Sequence, residues 1–112
     1  MATRDESLLG TLEQIVLLAA MRLGDQAYGM TIRDEIKTRT GRAVSFGAVY
    51  VTLQRLEDKG LVSSWIGEPT AERGGRAKRF FQVTANGRQA VRRVQAVVAS
   101  MSKGLREVRG ST

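Results

Sequence analysis

Four cations lie close together in one glycine-containing segment of the chain, and their chemistry suits phosphate groups. The cations are Arg73, Arg76, Lys78 and Arg79, which fall within seven residues. Guanidinium and ammonium groups neutralise the phosphates of a nucleic acid and release its counterions. Gly74 and Gly75 carry no side chain and let the segment follow a phosphate backbone or enter a minor groove. The segment therefore predicts a contact with the backbone of a polyanion.

A second group of residues with binding chemistry lies on one face of a helix that we predict from Ser45 to Lys59. At about 100° per residue, Val49, Leu53 and Leu56 share an apolar face. The opposite face is small, polar or basic and consists of Gly47, Ala48, Val51, Gln54, Arg55 and Asp58. The pattern therefore predicts that one side of this helix is core and that the other side is a contact surface.

The chemistry of that outer face suits the major groove of duplex DNA. Gly47 and Ala48 lack bulk, so the first turn of the helix can approach the duplex closely, and its free N–H groups favour a phosphate. Val51 suits the methyl group of a thymine. Gln54 and Arg55 are long enough to reach a base edge or a phosphate. We therefore expect this helix to enter the groove.

Four residues at or near this face each have two interpretations. Ser45 is expected to cap the helix, and it is also a candidate DNA contact. Tyr50 lies at the edge of the outer face, where its hydroxyl suits a phosphate or its ring packs on the flank of the helix. Tyr28 opens the preceding predicted helix, where such a helix crosses the DNA backbone. Arg55 either contacts DNA or pairs with one of the acidic residues at positions 57 and 58.

Six predicted elements position these residues. Apolar spacing and cap residues predict helices over Leu8–Leu23, Tyr28–Thr40 and Ser45–Lys59, strands over Leu61–Ile66 and Lys78–Val83, and a last helix from Thr84 to about Val108. This order predicts a mainly α fold, a winged helix-turn-helix with a two-stranded hairpin and a long C-terminal helix. We expect Phe81 and Val83 in the core, and Phe80 against the last helix or a partner.

The last predicted helix has an apolar seam with heptad spacing. Its residues are Val91, Val94, Val98, Met101, Leu105 and Val108, spaced 3, 4, 3, 4 and 3. A core stripe within one protomer is one interpretation. The first helix is also apolar on two sides, however, and one small domain cannot cover both helices. We therefore expect a homodimer whose interface also includes Leu12 and Ile15, with a DNA-binding unit over residues 8–84 and a dimerisation helix over residues 85–109.

Length, charge and composition exclude several classes of protein. The chain has 112 residues, enough for one domain, and contains neither Cys nor His. Disulfides, Cys/His zinc sites and His catalysis are therefore excluded, and we expect no enzyme, no metal and no cofactor. The apolar run Ile15–Met21 is too short to span a bilayer, and the first residues do not resemble a signal peptide. We expect a cytoplasmic protein without a membrane partner, and its net charge of +7 favours a polyanion.

The sequence resembles the PadR family of bacterial transcriptional regulators, in particular its short subfamily with a single C-terminal helix. The similar stretches are Leu12–Leu17, Ala27–Gly29, Ser45–Val62 and Arg73–Gly87. The resemblance covers nearly the whole chain from Leu8 onward. It implies a winged-helix fold and a dimeric repressor, often of nearby genes, that small effectors such as phenolic acids or drugs release.

Two positions depart from the family pattern. Val51 stands where the family often has Pro, and a helix tolerates either residue there. Some short members stack planar drugs between Trp side chains of the last helix. The only Trp in this chain is Trp65, on the first predicted strand, and the last helix contains no aromatic residue. The resemblance therefore implies no Trp-based drug site here.

Three hypotheses follow from these patterns. The leading one is a homodimeric repressor that binds a palindromic operator in double-stranded DNA, with half-sites about one helical turn apart. A second, compatible one is a sensor whose dimer interface, lined by the first and last helices, captures a small apolar or phenolic effector. A third is an RNA-binding winged helix, although the hairpin lacks the exposed aromatics flanked by cations that splayed bases need. Calorimetry with apolar and phenolic compounds tests the second, and competition between duplex DNA and RNA tests the third.

Overall fold

Four α-helices and one antiparallel hairpin make up the part of the chain that the computed structural model describes, residues 8–68 and 77–105. In chain order the elements are α1 (Thr11–Leu23), a 3-10 turn (Gly24–Gln26), α2 (Gly29–Thr40), α3 (Phe46–Asp58), β1 (Val62–Ile66), β2 (Arg79–Val83) and α4 (Ala85–Ser102). The predicted mainly α fold with a two-stranded hairpin and a C-terminal helix is confirmed.

Side-chain caps set the starts of α3 and α4. Ser45 Oγ accepts a hydrogen bond from the Ala48 N–H at 3.0 Å. Thr84 Oγ1 accepts one from the Gly87 N–H at 3.1 Å. Each cap satisfies a backbone donor that the first turn of a helix leaves without a partner. Both caps agree with the sequence prediction.

Two helix ends differ from the prediction. α1 begins at Thr11 rather than at Leu8, because Gly10 is its N-cap and has extended backbone, with φ −70° and ψ 168°. α4 ends at Ser102 rather than near Val108, which lies outside the described residues. Gly104 has a φ of 87°, a left-handed conformation that ends a helix.

The core lies between α1, α2, α3, the first half of α4 and the inner face of the hairpin. Val49, Leu53 and Leu56 are fully buried on the inner side of α3, as the helical spacing predicts. Ile32 and Ile36 face them from α2 in the same buried cluster, and the other members are Leu9, Val16, Leu17, Ala19, Ala20, Ala27, Val62, Phe81, Val83, Ala90, Val91 and Val94. This cluster fixes which side of α3 remains free for a partner.

The hairpin register decides which of its side chains are core. β1 and β2 pair antiparallel, with Val62 opposite Val83 and Trp65 opposite Phe80. Successive side chains of a strand point to opposite faces. Phe81 and Val83 are buried on the inner face, which confirms the prediction for both.

The residues before α2 pair with the hairpin through an isolated β-bridge. The Phe81 N–H donates a hydrogen bond to the Ala27 carbonyl at 2.9 Å, and the bridge joins Tyr28 to Phe80. The Phe80 ring contacts the rings of Tyr28 and Trp65. The alternative in which Phe80 packs against the last helix is therefore not observed in the described residues, and its packing against a partner stays a prediction.

The apolar seam of α4 divides into a buried half and an exposed half. Val91 and Val94 are buried in the core of the protomer. Val98 and Met101 are 55% and 76% exposed, and Leu105 is exposed beyond the end of the helix. Val91 and Val94 are thus core residues of one chain rather than dimer-interface residues, because the protomer already covers them. Only the exposed half stays a predicted interface.

Candidate nucleic-acid interface

α2 and α3 meet in a close contact between their first residues. Gly29 is buried, and a Cβ atom at this position would lie 2.5 Å from Cε1 of Phe46. A side chain at Gly29 would displace the ring, so glycine is required for this approach. The Phe46 ring also stacks on Tyr50, with ring centroids 6.1 Å apart and planes inclined by 21°. The N-terminal ends of the two helices therefore lie side by side, with one aromatic ring between them.

The predicted contact face of α3 is open to solvent. Gly47, Gln54 and Arg55 are exposed, Val51 is 50% exposed, and Ala48 is half-buried. A Cβ atom added at Gly47 would have no neighbour within 4 Å. The structure thus places these residues together on one surface, with the core behind it.

Arg55 does not pair with its acidic neighbours in the part of the chain that the structure describes. Glu57 instead accepts a hydrogen bond from Ser64 Oγ at 2.7 Å and lies 3.7 Å from a guanidinium nitrogen of Arg79. The alternative in which Arg55 is neutralised by one of the two following acidic residues is not observed. Its charge instead contributes to the lowered pKa of Glu13 on α1, without an ion pair in the described ranges.

An aromatic stack joins the hairpin to the start of α2. The rings of Trp65 and Phe80 are stacked at 5.7 Å with an angle of 17°. The Phe80 and Tyr28 rings meet edge to face at 5.3 Å. The Lys78 ammonium lies 5.1 Å from the centroid of the Tyr28 ring, within the range of a cation–π interaction. Tyr28 and Lys78, two predicted DNA contacts, are therefore neighbours.

The described part of the wing carries two cations in different situations. Arg79 donates from Nε to Ser64 Oγ at 3.1 Å and also faces Glu57 of α3, which holds its side chain at the loop end of the hairpin. Lys78 lies half-buried beside Tyr28. The remaining predicted wing contacts, Arg73, Gly74, Gly75 and Arg76, lie outside the described residues.

One ion pair fixes the end of α3 to the start of α1. Lys59 Nζ lies 2.8 Å from Glu13 Oε2, and the Gly10 N–H donates to Glu13 Oε1 at 3.0 Å. Burial alone would raise the pKa of the Glu13 carboxyl, but the hydrogen bonds from Lys59 and Gly10 outweigh it, so this pKa is lowered from its ordinary value. The charged carboxylate is the form that the fold favours.

A second ionic cluster joins α1 to α2. Glu35 accepts hydrogen bonds from Arg39 Nε at 2.8 Å and from Arg22 Nε at 3.2 Å. The bond from Arg39 lowers the pKa of Glu35, and Arg22 adds to this effect against a smaller contribution from burial. Two guanidinium groups thus share one carboxylate above the cleft between the two helices.

The predicted interface residues of α1 lie beside exposed apolar surface. Leu12 and Ile15 are half-buried and pack against the core. Ile15 also lines a shallow cleft of about 270 Å³ between α1 and α2, together with the exposed Leu18 and the buried Ile36. This surface and the exposed half of the α4 seam are the apolar areas that the protomer leaves uncovered on these helices.

Three aromatic residues of this region were not predicted as part of the site. Phe46 lies on the flank of α3, about 60° from Val49, where helical spacing indicates packing rather than contact. Phe80 meets Tyr28 through the isolated β-bridge, and Trp65 joins this group by stacking on Phe80. A possible indication in the sequence was the pairing of Phe46 with Tyr50 at a spacing of i and i+4, which places both rings on one flank.

The fold and this surface together define the class of winged helix-turn-helix transcription regulators. The model of the transcriptional regulator PadR-like family matches residues 17–93. The chain therefore belongs to the PadR-like family of transcriptional regulators, whose members are DNA-binding regulators of transcription and not enzymes. No curated protein matches the sequence significantly.

Solved structures of transcriptional regulators have the same fold. A transcriptional regulator from Clostridium thermocellum has a TM-score of 0.71 at 20% identity, covering 86% of this chain and 90% of its own. A PadR family regulator from Clostridium difficile has a TM-score of 0.70 at 18% identity, covering 88% and 98%. A PadR-like transcription factor from Bacteroides fragilis has a TM-score of 0.70 at 22% identity, covering 88% and 90%. These likenesses confirm the winged-helix fold.

None of the helices in residues 8–68 and 77–105 combines the length and the apolar character that crossing a bilayer requires.

Proposed function

We propose that this chain is a homodimeric repressor that places α3 in the major groove of a palindromic operator. The observation that carries the proposal is the outer face of α3. It is exposed, it is small and uncharged at Gly47 and Ala48 in its first turn, it carries the exposed Arg55, and the core packs behind it. Such a face fits a groove that is about 12 Å wide.

Charge supports duplex DNA as the partner. The net charge is +7 per chain, so a dimer carries twice that charge. Lys78 and Tyr28 lie together beside the start of α2, where a helix-turn-helix meets the phosphate backbone. We expect the wing residues Arg73 and Arg76, with Gly74 and Gly75 between them, to add backbone contacts.

Apolar surface supports the homodimer. Val98, Met101 and Leu105 are exposed on or beyond the second half of α4, and Ile15 and Leu18 adjoin the cleft on α1. Apolar side chains gain about 25 cal/mol for each Å² removed from water. In a two-fold symmetric dimer, each copy would cover both apolar areas of the other copy. Sedimentation of wild type and Met101→Asp tests this step, and a monomeric wild type would contradict it.

Selection of duplexes from a random library tests the DNA-binding proposal. We expect a symmetric site with half-sites about one helical turn apart. If about 6–10 phosphates are neutralised, affinity should fall by about 10³–10⁵ between 50 and 200 mM salt. Arg55→Ala should weaken binding, whereas Arg92→Ala, which removes an equally exposed cation from α4, should change affinity much less.

Two results would contradict this proposal. A preference for structured RNA over the selected duplex would favour the RNA-binding alternative. A reporter gene whose promoter overlaps the selected site should be transcribed less when the protein is present. Increased transcription would instead indicate an activator, since the repressor role comes from the family resemblance and not from the geometry.

We further propose that a small apolar or phenolic effector modulates this repressor. A cleft of about 330 Å³ lies between the end of α1, the hairpin and the first turn of α4. Met21 and Trp65 supply apolar lining, and Arg88 and Asp25 supply polar groups. Such a mixture suits a small ligand with one polar end.

Calorimetry with a series of phenolic acids tests this step. Bound ligand should lower DNA affinity, and Arg88→Ala should weaken ligand binding more than Arg92→Ala does. Absence of heat with every compound, together with unchanged DNA affinity, would leave a regulator without such an effector.

A further inference from the structure

Phe46 is a large apolar side chain that the protomer leaves 43% exposed at the first residue of α3. One side of its ring lies on Gly29, and the other side stacks on Tyr50. These two contacts hold the ring in place from α2 and from its own helix. Its exposed part is therefore presented as a fixed surface, since the ring has limited freedom to turn away.

The neighbouring surface of α3 is also apolar and free of bulky groups. Gly47 follows Phe46 and leaves open space, and Val51, which lies five residues on and about 140° around the helix from Phe46, is 50% exposed. Neither Phe46 nor Val51 has a side-chain hydrogen-bond donor or acceptor. This part of the helix cannot read base edges by hydrogen bonds from its side chains.

One cation lies near this end of α3. Lys78 lies against Tyr28, the neighbour of Gly29 on which the Phe46 ring lies. Arg55 is nine residues further along and lies on the opposite side of the helix. The whole chain has a net charge of +7. An exposed apolar ring on a cationic protein suits a partner that is a polyanion and that also presents an apolar group.

Duplex DNA meets both requirements, because it is a polyanion and its major groove presents an apolar group. The edges of the major groove present hydrogen-bond donors and acceptors together with the C5-methyl group of thymine, which is apolar. We propose that Phe46 contacts a thymine methyl group in each half-site and makes this residue a determinant of sequence preference. This inference rests on the proposed function, because it requires α3 to lie in the major groove.

The size of the effect follows from the transfer of one methyl group out of water. One buried CH₂ group contributes about 0.8 kcal/mol, which corresponds to about a fourfold change in affinity. With one contact in each half-site of a symmetric operator, the two losses multiply to roughly fifteenfold. Differences of this size are measurable by fluorescence anisotropy with a labelled duplex.

The experiment uses the duplex selected from a random library by the wild-type protein. Each thymine is replaced by deoxyuridine, in symmetric pairs, which removes only the methyl group. We expect one pair at which uracil weakens the wild type by roughly fifteenfold. Phe46→Ala should lose this discrimination at that pair and should bind the uracil duplex about as tightly as the thymine duplex.

Two variants serve as controls for folding and position. Phe46→Leu keeps an apolar side chain at the same residue and should retain part of the uracil effect at that pair. Val51→Ala alters the other exposed apolar residue and should leave the effect of the Phe46 pair unchanged. Circular dichroism and thermal unfolding of all three variants establish that each is folded.

The outcomes separate this inference from the proposed function. If Phe46→Ala binds every duplex more weakly but still loses affinity on the same uracil replacement, Phe46 acts as a spacer or contacts a sugar, and the inference fails alone. If no uracil replacement affects the wild type, the inference also fails alone. If selection yields no preferred duplex, the proposed function fails, and the inference fails with it.

Discussion

Gly29 shows how one absent side chain determines the position of another. Its Cβ position lies 2.5 Å from Cε1 of Phe46, so the ring occupies space that any larger residue would fill. The ring is partly exposed, so a Cβ atom added at Gly29 would displace it toward solvent and not into the core. The cost of filling this space is therefore expected in binding rather than in folding.

Gly29→Ala should separate these two effects. Its free energy of unfolding should change by less than about 1 kcal/mol, since the displaced ring is not a core residue. DNA affinity should fall by about fourfold per half-site, because the ring leaves its position. Urea unfolding measures the first quantity, and anisotropy with the selected duplex measures the second.

The double variant Gly29→Ala with Phe46→Leu provides the control for this prediction. If the added methyl group acts through the ring, the affinity loss should be smaller in this background than in the presence of Phe46. Equal losses in both backgrounds would show that Gly29→Ala acts in another way.

Gly87 differs from Gly29, because the atom nearest to its Cβ position belongs to the backbone and not to a side chain. A Cβ atom there would overlap the Leu61 carbonyl oxygen, and it would lie 2.8 Å from Cγ1 of Val83. Gly87→Ala should lower the free energy of unfolding by about 2–4 kcal/mol, since the first turn of α4 must move away from β1. The matched control is Gly47→Ala, where the added methyl group meets open space and stability should change by at most about 1 kcal/mol. Urea unfolding of both variants gives the comparison, and equal stabilities would contradict it.

At the scale of elements, the aromatic stack connects the hairpin to the helix-turn-helix. Phe80 is the middle ring, in contact with Trp65 on one side and Tyr28 on the other. Without it, the start of α2 and the wing would be joined mainly by backbone hydrogen bonds. The stack therefore fixes the angle between the two DNA-contacting elements that we propose.

Phe80→Ala should loosen this junction with a moderate loss of stability. Truncation of a fully buried Phe to Ala lowers the free energy of unfolding by about 3–5 kcal/mol. Because Phe80 is half-buried, its truncation should cost about half of that. Trp65 is the only Trp of the chain, so its emission reports the loss of stacking directly. Phe81→Ala is the control: it should lose more stability, with less effect on Trp65 emission. The reverse order of stabilities would contradict the assigned packing.

Local patterns predict the elements of this fold well. Ser45 and Thr84 are N-caps whose side chains act within one turn, so the sequence alone locates the starts of α3 and α4. Periodicity also identifies the buried face of α3. The sequence predicts the end of α4 too far along the chain, near Val108. The apolar seam continues past Ser102, although Gly104 ends the helix.

Local sequence patterns do not predict contacts between distant parts of the chain. The isolated bridge between Tyr28 and Phe80 involves a single residue pair, which leaves no periodic pattern in the sequence. The exposure of Phe46 depends on where α2 passes over α3. The sequence predicts the outer face of α3 because this face depends only on helix geometry. The aromatic flank of α3 depends on tertiary packing against α2, which residue spacing within one helix does not predict.

At the scale of the whole molecule, acid should weaken the junctions between helices. The pKa values of Glu13 and Glu35 are lowered from the ordinary value of 4.5. A lowered pKa in the folded state means that the carboxylates contribute stability fully above that ordinary value. The contribution is lost as the pH falls through the lower folded-state pKa. Stability should therefore decrease on the acid side.

The pH dependence of Glu13→Gln tests this prediction. Between pH 7 and about pH 3, the wild type should lose more free energy of unfolding than the variant, by less than about 1 kcal/mol. Lys59→Met removes the partner of Glu13 and should reduce the pH dependence in the same direction. Identical pH profiles for wild type and both variants would show that this ion pair has no influence on stability.

The division of the α4 seam has a consequence for how such a regulator responds to its own abundance. Val91 and Val94 are buried inside one chain, whereas Val98 and Met101 are exposed. In the homodimer that we propose, pairing through these exposed residues depends on the concentration of the protein. When the protein is scarce, the amount of paired protein rises with the square of the total amount. Promoter occupancy would then rise more steeply than expression, so a modest change in synthesis would produce a disproportionate change in the transcription of the target gene.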